Sequence, residues 1–126
     1  MLFILMTDHS PTFVEIKTLQ DAENEIQKIG SDSQSITIMA PKAVSKNIKL
    51  ENVILQDAII IKQDMLSIGG EVAVPRNAFE LHNKTGSVLI MGNLKQLCNL
   101  VEKLDRHYSR LKNIAKELAI LLKDVK

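Results

Sequence analysis

The chain has no tryptophan, one tyrosine, three phenylalanines and one cysteine. A lone thiol, Cys98, excludes an intramolecular disulfide and a cysteine-rich zinc site. So few aromatics, none interleaved with a basic cluster, leave no stacking platform for single-stranded nucleic acid. Neither sign of charge dominates: 16 Lys and Arg stand against 15 Asp and Glu, far from the basic surplus of a general nucleic-acid binder. No apolar run approaches the roughly 18 residues of a membrane span. The opening MLFILM lacks a basic flank and meets Asp8 almost at once, so it does not read as a signal peptide. What is present is ordinary globular composition, 126 residues with 45% apolar and 25% charged side chains. The expectation is a cytoplasmic single domain over residues 1–126, with neither a nucleic-acid nor a membrane partner.

Patterning supplies the elements. TFVEIK (Thr12–Lys17) is β-branched and aromatic and reads as a strand. Thr18 and Asp21 are spaced as a capping box, Leu19, Ala22, Ile26 and Ile29 recur at helical intervals, and Gly30 is a natural stop. ITIM (Ile36–Met39) reads as a short strand ended by Ala40-Pro41, because proline has no N–H for a ladder. A further strand is expected around Ile48–Leu50, with Glu51-Asn52 as a turn. Leu55–Ile68 is apolar on more than one face, as in a helix largely buried against a sheet, although Ile59–Ile61 also suits a strand. Gly69-Gly70 stops it, and EVAV (Glu71–Val74) follows as a strand before Pro75. SVLIM (Ser87–Met91) is a continuous apolar run, the pattern of a strand buried on both faces. Asn93 and Gln96 form a second capping-box pair ahead of an amphipathic helix, and a break near His107–Ser109 leads to the last one. The alternation favours an α/β layer domain: about four helices on a mixed or mostly parallel sheet of four to five strands. The core is expected over about 12–105 and the C-terminal helix over about 109–125.

Chemistry is sparse. His9, His82 and His107 make no zinc pattern, and Cys98 lies on an apolar helix side, as a core thiol does. There is no nucleophile elbow, P-loop or dinucleotide fingerprint. No cofactor, metal ligand or catalytic residue is assigned. The remaining polar set is Lys62, Gly69, Gly70, Glu71 and Arg76. Glycines let a ligand approach the backbone, and Arg76 offers a planar fork for a carboxylate or phosphate. A helix end followed by a strand explains the same residues. The C-terminal helices carry a second candidate surface. Residues 93–126 hold 8 basic and 4 acidic side chains, and the stripe Leu111, Ile114, Ala115, Leu118, Leu121, Leu122 and Val125 is a candidate docking or self-association face.

IMAPKAVSKNIKLENV (Ile38–Val53), IIKQDMLSIGGEVAVPR (Ile60–Arg76) and VLIMGNLKQL (Val88–Leu97) together resemble the region that precedes the catalytic barrel in a long form of dihydropteroate synthase. The likeness covers roughly residues 14–105 and is most specific over Lys62–Arg76. That family joins p-aminobenzoate to a pterin pyrophosphate in a TIM-type barrel, which needs about 250 residues. This chain is too short to hold one. The family's Asn-x-Thr-x-Asp-Ser-Phe loop and its late Lys and Ser-x-Arg motifs have no counterpart, so no catalytic residue carries over. The resemblance implies a free-standing accessory or assembly domain linked to folate or methanopterin biosynthesis. Its partner would be a barrel-type dihydropteroate synthase or a homo-oligomer. The alternative is a domain or enzyme that binds a pterin or a phosphorylated metabolite.

Overall fold

A computed structural model describes residues 9–126. Their elements are α1 (Leu19–Ile29), α2 (Ser33–Ala43), β1 (Ser45–Ile54), α3 (Leu55–Ser67), β2 (Glu71–Ala73), β3 (Thr85–Asn93), α4 (Leu94–Leu104) and α5 (Ser109–Leu122). The opening MLFILM lies outside the described residues. No helix among them is long and apolar enough to cross a membrane.

The strands form one three-stranded sheet in the order β1-β3-β2, and both pairings are antiparallel. Among the described residues this corrects the expected mixed or mostly parallel sheet of four to five strands, and five helices stand where about four were expected. The physical reason lies in strand order. β1, α3 and β2 do make a crossover that leaves β1 and β2 pointing the same way. β3 then inserts between them and runs against both.

Two expected strands are not strands. Residues 12–17 join no ladder among the described residues, and Phe13 is wholly exposed. ITIM lies inside α2 instead. Ala40 and Val44 are buried and Ile36 half-buried, while Ile38 is exposed. Burial at intervals of four is a helical face, whereas a strand would place Ile36 and Ile38 on one side. Pro41 sits in the last turn of α2, where the helix ends two residues later. β3 also departs from the reading of a strand buried on both sides. Val88 and Ile90 face the core, whereas Ser87 and Leu89 face outward.

Glu51-Asn52 bends the chain as expected, but within β1. Leu50 pairs with Val88 and Val53 with Gly86, so three steps on β1 oppose two on β3. Asn52 takes a left-handed φ of 57°, which Asn tolerates better than most residues. This bulge rephases the strand so that Val53 is buried beyond it, as Ile48 is before it.

Both capping boxes form. Thr18 and Asp21 bond reciprocally at the start of α1, as do Asn93 and Gln96 at α4. Gly30, at φ 89°, closes α1 in the left-handed conformation. The first N–H groups of α3 have no side-chain cap. Leu55 N–H donates instead to the Lys84 carbonyl (2.8 Å) and Gln56 N–H to that of His82 (2.9 Å). One core spans Ala22 to Val125, with Ile61, Met65, Ile90, Leu97 and Leu100 fully buried. Most of the α5 stripe belongs to this core: Leu111, Ala115, Leu118, Leu122 and Val125 are buried, Ile114 is half-buried, and Leu121 alone of the stripe is exposed.

Candidate functional site

The end of the sheet at which β1 begins and β3 finishes opens into a polar cleft of about 570 Å³. Its floor follows the cross-strand row Asn47–Met91–Glu71, three direct neighbours across the sheet. Asn93 and Gln96 close one side, and Gly69 and Gly70 another. Lys62 and Arg76 are not among the residues that line it.

The glycines have packing reasons. Gly69 ends α3 at φ 92°, a conformation that strains any side chain. A Cβ on Gly70 or on Gly92 would run into Met65 Cε, so both admit the Met65 side chain between α3 and the sheet. The N–H groups of Gly69 and Gly70 are also already committed, to the carbonyls of Leu66 (3.1 Å) and Met65 (3.0 Å). They finish the helix instead of facing the cleft. Lys62 reaches across from α3 and donates to the Val72 carbonyl (2.8 Å) and to Glu71 Oε1 (3.3 Å). The same Glu71 oxygen accepts from Val72 N–H (2.9 Å). That backbone bond, with help from Lys62, holds the Glu71 carboxyl below its ordinary range. The cleft therefore offers one ionised carboxylate, the Asn47 amide, Lys46, and the amide NH2 groups of Asn93 and Gln96, whose oxygens accept the capping-box bonds. It has both donors and acceptors but no nucleophile paired with a base.

A second constellation escaped the sequence reading. Asp57, in the first turn of α3, is 2% exposed and is the one buried charged residue among those described. Arg110, at the start of α5, donates to it through Nε (2.7 Å) and Nη2 (2.9 Å), a bidentate pair. Tyr108 donates its hydroxyl to the same carboxylate, and the Arg110 guanidinium lies 4.8 Å from the centre of the Tyr108 ring. Burial alone would push the Asp57 carboxyl up. The hydrogen bonds from Arg110 and Tyr108, with the Arg110 charge, outweigh it and hold the group below its ordinary range. Burial and the neighbouring Asp57 raise Tyr108. Two turns along α3, Asp64 Oδ2 lies 2.9 Å from His107 Nε2. The α4–α5 connection is thus fastened to α3 at two points. The sequence signal was a carboxylate in the first turn of an otherwise apolar helix, but its partners lie more than fifty residues away. Among the described residues no cluster of His, Cys, Asp and Glu is placed to hold a metal ion.

The site and fold thus define a small α/β domain with a polar cleft and an internal ion-pair clamp. No protein-family model matches the chain, and no solved structure matches it. Among characterised proteins it is similar to the bifunctional dihydropteroate synthase/dihydropteroate reductase of Helicobacter pylori, 31% identical over 101 residues. The match covers 80% of this chain and 27% of that relative, so the chain spans about a quarter of the relative's length.

Proposed function

We propose that this chain is an accessory domain related to dihydropteroate synthase, acting in folate or methanopterin biosynthesis by contact with a barrel-type synthase. The observation that carries the reading is the lopsided match. Most of this chain corresponds to a minor part of a protein that is named for both a synthase and a reductase. The region shared would be the one that precedes the barrel in long-form synthases. The geometry supports a contact role over catalysis. Asp57 with Arg110, Asp64 with His107 and Lys62 with Glu71 bind one another and brace the fold. The direct test mixes the purified chain with a purified barrel-type dihydropteroate synthase in analytical ultracentrifugation. A stoichiometric complex is expected, together with no condensation of p-aminobenzoate by the chain alone. Two separate peaks, or condensation by the isolated chain, would overturn it.

One observation favours a second reading, in which the cleft at Gly69, Gly70 and Glu71 binds a small molecule. Its carboxylate and three amides suit the hydrogen-bonding edge of a heterocycle such as a pterin. They suit a phosphorylated metabolite less well, because Lys46 is the single cation lining it among the described residues and Glu71 opposes an anion.

A further inference from the structure

Helix α5 has a second face. Leu111, Ala115, Leu118 and Leu122 are buried against the domain at helical intervals. Ile120 lies about 170° round the helix from that seam, at 3.6 residues per turn. It is 65% exposed, although isoleucine is among the residues most often buried.

The charges around Ile120 are sorted by sign. Its neighbours one turn away are Lys116 and Glu117 before it, and Lys123 and Asp124 after it. The winding continues beyond Leu122, where the N–H groups of Lys123 and Asp124 bond three residues back. The two lysines therefore fall on one flank of Ile120 and the two acids on the other. All four are exposed, and none has an ion-pair partner among the described residues. No base and acid of the four stand three or four positions apart, so they are not placed to pair with one another along their own helix.

Such a face complements itself in one orientation. With two copies of α5 parallel about a two-fold axis, Ile120 meets Ile120, and the basic flank of each copy lies along the acidic flank of the other. Lys116 then stands within one residue rise, about 1.5 Å, of the level of the second copy's Glu117, and Lys123 likewise of its Asp124. Antiparallel copies about a two-fold axis would set lysine against lysine and acid against acid. We propose that α5 pairs with α5 of a second copy of this chain, in parallel across Ile120, to form a two-fold dimer. The contact is isologous, with an apolar centre and a charged rim. It also leaves each core intact, because the face looks away from the buried seam. The charges select this occupant. A nucleic acid or an anionic membrane would be attracted by the lysine flank and repelled by the carboxylates beside it. This inference is independent of the accessory role proposed above.

The test is sedimentation equilibrium of the full chain at low ionic strength. Wild type is expected to dimerise, with a dissociation constant that rises with salt because the rim pairs are exposed. Ile120→Arg is expected to raise that constant about tenfold or more, with an unchanged circular dichroism spectrum and Tm. Lys116→Glu/Lys123→Glu and Glu117→Lys/Asp124→Lys should each be monomeric alone and associate when mixed. Asn113→Cys in a Cys98→Ser background reads the orientation. Position 113 is exposed and lies two turns before Ile120 on the same line, so parallel copies bring the two thiols together and an interchain disulfide forms on oxidation. Antiparallel copies hold them apart. A monomeric wild type, a dimer indifferent to Ile120→Arg, mixed charge variants that stay separate, or no disulfide at position 113 each overturns the proposal.

Discussion

The two polar constellations of this domain treat their charges in opposite ways. At the clamp between α3 and α5, a buried carboxylate is matched donor for donor by Arg110 and Tyr108, and the connection is sealed again by His107 and Asp64. At the sheet end, Lys62 draws Glu71 partly back to the backbone, while amides and a lysine remain around an open cleft. The first arrangement is a lock, whose members satisfy one another. The second has hydrogen-bonding capacity to spare. Ionisable residues close together in space therefore do not mark a site by themselves; what separates the two regions is whether the pairing is complete.

Undoing the packing that supports the lock has the largest expected effect. Leu118 is 2% exposed in the α5 face that meets the core. Leu118→Asp places an unpaired charge there, and the expected loss is about 4 kcal/mol or more, enough to unfold most small domains. Loss of the circular dichroism transition is the readout. A folded protein with wild-type Tm would mean that this stripe is not part of the core.

Next in size is the lock itself. Arg110→Met keeps the aliphatic packing and strands the Asp57 charge, with an expected cost of about 3 kcal/mol in urea unfolding. The sign of the pH effect follows from the depressed Asp57 value. A carboxyl held below its unfolded value contributes stability that is present above the ordinary carboxylate range and lost as pH falls through the folded value. Wild type should therefore lose stability below about pH 4, and Asp57→Asn should flatten that acid limb while lowering stability at neutral pH. An acid limb unchanged in the variant would place the linkage on other carboxylates, of which Asp21, also held low by the backbone N–H groups of Lys17 and Thr18, is the first alternative.

Smaller again is the packing beneath the cleft. Gly92→Ala puts a methyl group against Met65 and is expected to cost about 1–3 kcal/mol, the usual range for overpacking. Met65→Ala should make room for it, so the two substitutions are expected to cost less together than their sum. Strict additivity would show that Gly92 is required for something other than this side chain.

The parts of the molecule legible from sequence are those decided within a few residues. Thr18 with Asp21 and Asn93 with Gln96 fix two helix starts by bonds spanning three positions, and both form as read. The Leu55–Ile68 helix and its stop at Gly69 are equally local. ITIM was misread because four β-favouring residues gave the strand signal, whereas the burial of Ala40 and Val44 follows a helical interval that needs the flanking sequence. The sheet was misread for a different reason. Its crossover is visible in the alternation of elements, but no local feature says that β3 enters between β1 and β2. The cleft was half legible: Gly69, Gly70 and Glu71 line it, while Asn47 and Met91 join them only through strand pairing. The clamp was invisible because Asp57 and Arg110 are far apart in the chain and meet by tertiary packing.

The smallest structural effects belong to Arg76 and Glu71. Arg76 is exposed in the connection after β2 and does not line the cleft, so Arg76→Ala should change stability by no more than about 0.5 kcal/mol. Glu71→Gln loses its ion pair with Lys62, but that pair is half exposed, and little stability is expected to go with it. Either variant can thus be compared with wild type in a thermal-shift panel of pterins, aminobenzoates and phosphorylated metabolites without a confounding loss of fold. A compound bound in the cleft and present at 100 times its dissociation constant stabilises wild type by about 2.7 kcal/mol. Binding through the carboxylate predicts that this gain shrinks in Glu71→Gln, which loses the charge and one acceptor oxygen, and persists in Arg76→Ala. The reverse pattern would move the ligand off the cleft and onto the connection between β2 and β3. A panel with no shift in wild type would leave the donors and acceptors of the cleft to water, and the contact role would stand without a ligand.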